Sequence, residues 1–260
     1  MPSVRTGLSC SVVRGRIYAI GGSYTTGLPG GSTQLKSVEE YNPETDTWTG
    51  KANLPTPREA PTSAVNDKIY VIGGSKGFVG LQYNSVSTVE EYDPATDTWT
   101  KKADMPTRRG RLSTSVVSGK IYAIGGSENN WDALATVEVY DPALNQWSSA
   151  PDMPTARSYF TTSVVKGKIY ALGGTTSNRS IALTSAVEEF EPGSSGESSV
   201  GGAQPPRISI ELSPSGLKIT FTGTLQSADE VVGPWIDAPK TASPLETTTS
   251  AKAKFYRARQ

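Results

Sequence analysis

One segment constrains this chain more than any other, because it occurs four times in slightly varied form. KIYAIGG runs from Lys120 to Gly126, RIYAIGG starts at Arg16, KIYVIGG at Lys68 and KIYALGG at Lys168. The first glycine of each pair falls at Gly21, Gly73, Gly125 and Gly173, a spacing of 52, 52 and 48 residues. A period of about 50 residues marks an array whose units need neighbours to bury their apolar surface. Ile and Ala fall on one side of this strand, Tyr and Ile on the other, so both faces are apolar. A sheet with one wet face would alternate apolar with polar residues. These strands must therefore be covered on both sides, as in short sheets packed face to face around an axis.

The rest of each unit fits that arrangement. A run of small and branched residues comes first, at 8–13, 61–65, 112–117 and 159–165. Two turn residues (Arg14-Gly15, Asn66-Asp67, Ser118-Gly119 or Lys166-Gly167) join it to the repeated segment in a tight hairpin. The pairs Gly21-Gly22, Gly73-Gly74, Gly125-Gly126 and Gly173-Gly174 supply a positive φ or a close backbone approach. After a variable connection comes a third strand: VEEYNP at 38–43, VEEYDP at 89–94, VEVYDP at 137–142 and VEEFEP at 187–192. Its proline cannot donate to a ladder and ends it. A turn rich in Asp and Asn, which tolerate left-handed geometry, leads to Trp48, Trp99 or Trp147. Each Trp opens an outer strand and should lie, buried, over the Tyr of the strand beside it.

The double glycine, the VExYDP strand and the Trp beyond it resemble the kelch repeat over residues 1–192. The resemblance implies an all-β fold, a β-propeller in which each repeat is one four-stranded blade. The fourth repeat departs from the pattern. Phe190 stands for Tyr, and EPGSSGESSVGG follows where a Trp is wanted, so this blade should have three strands. The first repeat opens at Met1-Pro2, in register with Met105-Pro106, and no earlier segment is expected to complete the fourth. Kelch propellers most often carry six or seven blades, so the chain reads as a sector whose open edge invites self-association. Residues 193–206 read as a flexible linker. Residues 207–260 read as a small β-sandwich-like module with strands near 208–212, 217–222 and 255–259. Its LQSADEVVGPW and FYRAR segments resemble modules of secreted bacterial proteins, which implies a bacterial chain in an extracellular or periplasmic location. The N-terminal MPSVRTG has no apolar core of a signal peptide.

Composition limits the chemistry. Histidine is absent, which removes the usual acid–base group near neutral pH and the commonest metal ligand. A Ser-His-Asp triad and His-bound zinc or copper are excluded. The radical copper oxidases, a catalytic branch of the kelch resemblance, rely on histidine ligands that this chain lacks. No cofactor or metal is expected. The 25 basic and 25 acidic side chains balance, and no basic stripe suits nucleic acid. Apolar runs fall far short of the ~20 residues that span a bilayer, so membrane insertion is not expected. Cys10 is the sole cysteine and reads as an inert core thiol of the innermost strand.

Two sets of residues are candidates for binding. Arg5, Arg58, Arg109 and Arg157 each lie three residues beyond a repeated proline. They could line an electropositive mouth that takes a carboxylate or sugar acid. Alternatively each pairs with the recurring Glu39, Glu90, Glu138 or Glu188 and holds the blades together, which their equal number favours. The second set lies in the segments after Gly-Gly, at 23–36, 75–85, 127–133 and 175–183, which vary while their scaffold repeats. Tyr24, Phe78, Tyr83, Asn129, Asn130 and Trp131 there suit a partner protein or an extracellular glycan, unless they only pack the segments onto the blades. Adjacent carboxylates such as Glu90-Glu91 point to opposite faces of a strand and form no acid–base dyad. The reading that best fits is a non-catalytic binding scaffold. The alternatives are a sugar-acid enzyme resembling the kelch sialic acid mutarotases, working with Arg and Glu, and an inactive fragment of a longer kelch protein.

Overall fold

Type I′ hairpins start every repeat. Arg14, Asn66, Ser118 and Lys166 adopt φ of 48°, 50°, 50° and 51°, each followed by a second residue with positive φ. That geometry matches the twist of the strands it joins. The computed structural model describes residues 1–25, 32–79, 82–128, 132–177 and 182–192, with the backbone of six further strands between 208 and 259.

Blade 1 comprises β1 (Ser9–Val13), β2 (Arg16–Ile20), β5 (Val38–Asn42) and β6 (Thr47–Gly50), with a small hairpin of β3 (Ser23–Thr25) and β4 (Ser32–Gln34) at one end. Blade 2 repeats this with β7 (Thr62–Val65), β8 (Lys68–Ile72), β11 (Val89–Asp93) and β12 (Thr98–Lys101), and the end hairpin β9 (Ser75–Val79) and β10 (Gln82–Ser85). Blade 3 has β13 (Ser113–Val117), β14 (Lys120–Ile124), β15 (Val137–Asp141) and β16 (Gln146–Ala150). Blade 4 has β17 (Thr161–Val165), β18 (Lys168–Leu172) and β21 (Val187–Phe190), with the end hairpin β19 (Thr175–Ser177) and β20 (Ala182–Leu183). It has no fourth strand among the described residues, as the missing Trp implies. All pairings are antiparallel, and β2, β8, β14 and β18 lie between two neighbours. The result is the all-β propeller arrangement expected from the repeats.

Each blade buries one face against the next. Val13, Tyr18, Ile20 and Val38 of blade 1 pack on Ile69, Val71 and Tyr92 of blade 2. The same positions recur between blades 2 and 3 and between blades 3 and 4. An aromatic pair crosses every interface: Tyr18–Tyr92 at 5.9 Å, Tyr70–Tyr140 at 5.8 Å and Tyr122–Phe190 at 5.8 Å between ring centroids. Hydroxyls of the innermost strands pair across the same gaps, Ser11 with Thr62 at 2.8 Å, Ser63 with Thr114 at 2.9 Å and Ser115 with Thr162 at 2.8 Å. Strand alternation makes this possible. Ser11 and Val13 point toward the following blade, while the intervening residues point toward the preceding one.

Cys10 is a correction to the sequence reading. It is aligned with Thr62, Thr114 and Thr162 and is exposed, because its side of blade 1 meets no other blade. The tryptophans are corrected in part. Each stacks on its Tyr, at 5.0, 5.0 and 5.1 Å for Trp48, Trp99 and Trp147, but is half-buried. Two of them do a second job. The Trp99 indole donates to the Ala52 carbonyl at 2.8 Å, and the Ala52 N–H donates to Asp97 at 2.8 Å. Trp147 and Asn145 hold Ala103 in the same way, at 3.0 and 2.9 Å. The outer turn of one blade thus grips the tail of the blade before it. Pro151 occupies the equivalent tail position of blade 3. It has no N–H to offer, and no such turn of blade 4 lies among the described residues.

The clasp carries a pH dependence. Asp97 also accepts from the Tyr92 phenol at 2.6 Å, and this bond holds its carboxyl below the usual range. A depressed folded value contributes stability above the unfolded pKa, about 3.9, which is lost as pH falls through the lower folded value. Asn145 does the same work in blade 3 without titrating. Asp97→Asn should therefore leave stability near neutrality almost unchanged and flatten its decline as pH falls below about 4. Thermal melts across that range check this, and an unchanged acid slope would rule the clasp out as its source.

Beyond the blades, β22 (Ile208–Ser213), β23 (Gly216–Phe221) and β26 (Leu245–Thr247) form one antiparallel sheet, and β24 (Thr224–Ala228), β25 (Ile236–Asp237) and β27 (Phe255–Arg259) another. Three of these strands match the runs read from the sequence. The expected linker, 193–206, lies outside the described residues.

Candidate functional site at the inner rim

The four repeated arginines are interior groups. Arg58, Arg109 and Arg157 are fully buried and Arg5 nearly so. Arg5 pairs with Glu39 at 2.9 Å, Arg157 with Glu188 at 3.0 Å, and Arg58 and Arg109 form short contacts with Glu90 and Glu138. Each also reaches backbone carbonyls. Arg58 donates to Gly73 at 2.8 Å and Val71 at 3.0 Å, and Arg109 to Ala123 at 3.0 Å. The second oxygen of Glu90 and of Glu138 accepts from Thr56 and Thr107, both at 2.8 Å. Burial pushes the Arg58 and Arg109 guanidiniums down from their ordinary value, and the facing glutamates oppose that shift. These side chains tie the middle strand to the third strand of each blade. They do not form an electropositive mouth, and the sugar-acid reading loses the residues it relied on. The neighbouring carboxylates point away, Glu91 to Tyr70 at 2.6 Å and to Lys102 at 3.2 Å.

The backbone just after each arginine approaches the segment that follows Gly-Gly. Bridges Thr6–Ser23, Glu59–Ser75, Gly110–Ser127 and Ser158–Thr175 join them in every blade. Three of the variable segments are therefore short hairpins rather than open loops, and they crowd one end of the innermost strands. From the repeated arginine to the first glycine the sequence runs 16, 15, 16 and 16 residues. Blade 2 lacks one residue, and the extra residue elsewhere bulges with positive φ: Gly7 at 62°, Arg111 at 56° and Tyr159 at 51°. For Arg and Tyr this is a sparsely populated conformation.

The two bulges meet. The Tyr159 N–H donates to the Arg111 carbonyl at 3.1 Å. The Arg111 guanidinium lies 3.9 Å from the centroid of the Tyr83 ring and 4.6 Å from that of Tyr159. Its Nε is buried without a hydrogen-bond partner. Among the described residues it forms no ion pair with a carboxylate. Tyr83 sits over Gly110, where a Cβ would come within 2.7 Å of its ring, and burial pushes its phenol up. Phe78 packs edge-on to Tyr83 at 5.5 Å and is itself 55% exposed, while Tyr159 is 62% exposed. The outcome for the sequence-derived aromatics is mixed. Tyr83 packs onto blade 3, Phe78 and Tyr24 face solvent, and Asn129, Asn130 and Trp131 lie outside the described residues. Arg111 and Tyr159 were missed, although the uneven spacing after the arginines was the signal for them.

Comparison with known proteins agrees with this geometry. Residues 1–126 match the KLHDC2/KLHL20/DRC7 Kelch-repeats domain, and residues 108–154 and 156–192 match the Kelch motif. Human Kelch-like protein 28 is 40% identical over 96 residues, covering 35% of this chain and 17% of that protein. Kelch-like protein terF of Aspergillus terreus is 38% identical over 134 residues, 49% of this chain and 29% of its own length. Beta-scruin of Limulus polyphemus is 31% identical over 133 residues, 49% of this chain and 14% of its own length. The chain thus spans less than a third of each of these relatives. Four blades with matched interfaces, together with kelch matches over 1–126, 108–154 and 156–192, show that residues 1–192 form a kelch-repeat β-propeller arrangement.

Proposed function

We propose that the chain is a non-catalytic kelch scaffold that binds a partner protein at the rim where the end hairpins meet the innermost strands. One observation carries this reading. Every repeated arginine has its glutamate, whereas Arg111 is clamped between two tyrosine rings and forms no ion pair among the described residues. A guanidinium held rigid by stacking loses little freedom on binding and offers a fork to a carboxylate. The strained backbone of Arg111 and Tyr159 fits a site in which strain is kept for positioning. Exposed Phe78 and Tyr159 flank the charge with the aromatic surface that anchors protein interfaces. The partner's complementary feature is therefore an acidic side chain or a free C-terminal carboxylate.

Panning a displayed peptide library on the full chain, with counter-selection on Arg111→Ala, tests this. Selected peptides should carry Asp, Glu or a free C-terminus, and Arg111→Ala should weaken them by about 10-fold or more, in line with loss of a charge-assisted pair. Peptides that bind both proteins equally would refute the role of Arg111. A glycan array probed in parallel tests the other partner class. Binding there, with no peptide selected, would replace the protein reading.

A further inference from the structure

The two ends of the described blade array each leave a face uncovered. Wherever a blade is followed by another, its trailing face is buried: Ile20, Ile72 and Ile124 are 2%, 0% and 2% exposed. The matching residue of blade 4, Leu172, is 37% exposed, and Val187 and Val165 beside it are uncovered as well. On the leading side Ile69, Ile121 and Ile169 are buried, whereas Ile17 of blade 1 is half-covered and Cys10 and Val12 face solvent. Residue types are kept although the covering is missing. Blade 4 presents Ser163, Tyr170 and Leu172 as earlier blades present Ser63, Tyr70 and Ile72. Blade 1 presents Ile17 and Tyr41 as later blades present Ile69 and Tyr92, with Ala19 between them already buried in the single copy.

We infer that these faces bind each other in two copies of the chain, blade 4 of one seated on blade 1 of the next. The occupant is fixed by continuity with the three interfaces inside the chain, each of which joins the same trailing set to the same leading set. An array of apolar faces left in water is otherwise a liability. The contact is heterologous, and it closes on itself when the rotations sum to a full turn. Two copies supply eight blades, at the upper end of the usual range of about 4–8. Tyr170 of one copy then meets Tyr41 of the other, as Tyr70 meets Tyr140. Ser163 of one copy meets Cys10 of the other, as Ser11, Ser63 and Ser115 meet their threonines at 2.8–2.9 Å. Among the described residues, Trp48 and Asp46 have no tail of blade 4 to grip.

The sole cysteine makes the test direct. Ser163→Cys places a second thiol where the proposed contact brings it against Cys10 of the next copy, within the short reach a disulfide needs. Sedimentation of the full chain should show dimers or larger species that grow with concentration. Mild oxidation of Ser163→Cys should give a disulfide-linked dimer, and Leu183→Cys, equally open but on the rim hairpin, should give none. Leu172→Glu alters a side chain already exposed in the single copy, so it should leave folding intact and disperse the assembly. A chain that stays monomeric with no cross-link at position 163 overturns the inference. So does association that survives Leu172→Glu, or cross-linking that is equal at 163 and 183, since either assigns the contact to another surface.

Discussion

Arg58→Met is expected to destabilise the chain by about 3–5 kcal/mol, because it leaves the Glu90 carboxylate buried without its counter-charge. Glu90 keeps only the Thr56 hydroxyl at 2.8 Å, and the carbonyls of Gly73 and Val71 lose their donor at 2.8 and 3.0 Å. The double variant Arg58→Met with Glu90→Leu separates these terms. Buried ion pairs can often be exchanged for apolar residues at little cost. Here the arginine also satisfies backbone acceptors, each of which costs about 1–3 kcal/mol when buried and unpaired. The double variant should therefore recover only part of the loss. Equilibrium unfolding in urea at unchanged m-value measures both. A double variant as stable as the parent would mean that the carbonyl contacts contribute nothing and that the pair is replaceable.

The repeated arginines also show what was legible in advance. Their recurrence with glutamate was visible in the sequence, and so was the pairing, since two opposite charges at fixed positions in every unit have few other uses. The hairpins were legible because Asn66-Asp67 and Ser118-Gly119 accept the left-handed φ that a two-residue turn demands. Other features depended on what stands next to a residue rather than on the residue itself. Cys10 reads as a core position because its counterparts lie at blade interfaces; its exposure follows from its facing no other blade among the described residues. Leu172 and Val187 are exposed for the same reason at the other end. Arg111 was hidden by its setting. In sequence it is one more charged residue after Arg108 and Arg109, and only the one-residue difference in blade 2 hints that it sits on a bulge. The clasp on Ala52 was invisible because it uses a backbone N–H and carbonyl, which any residue except proline provides.

Gly125→Ala should cost about 2–5 kcal/mol, whereas Gly173→Ala, the same residue of the same motif, should cost only about 1–2 kcal/mol. Both glycines have positive φ, 57° and 65°, and both substitutions pay for a side chain in the left-handed region. The difference lies beyond the blade. A Cβ on Gly125 would stand 2.6 Å from the Arg157 carbonyl and 2.8 Å from Met153 and Phe160, while one on Gly173 meets nothing closer than the Thr184 carbonyl at 3.6 Å. The Gly126 N–H donates to that Arg157 carbonyl at 2.9 Å, as Gly74 donates to Arg109 at 2.9 Å. The first glycine of each pair is bare so that the next blade's backbone can close on the second. Equal losses at the two positions would show instead that the motif serves only its own turn. In a head-to-tail pair of copies, the Arg5 carbonyl of the second copy takes the place at Gly173 that Arg157 holds at Gly125. The alanine that scarcely disturbs the single copy should then weaken its association, so one substitution read in two assays distinguishes a glycine required by its own blade from one required by its neighbour.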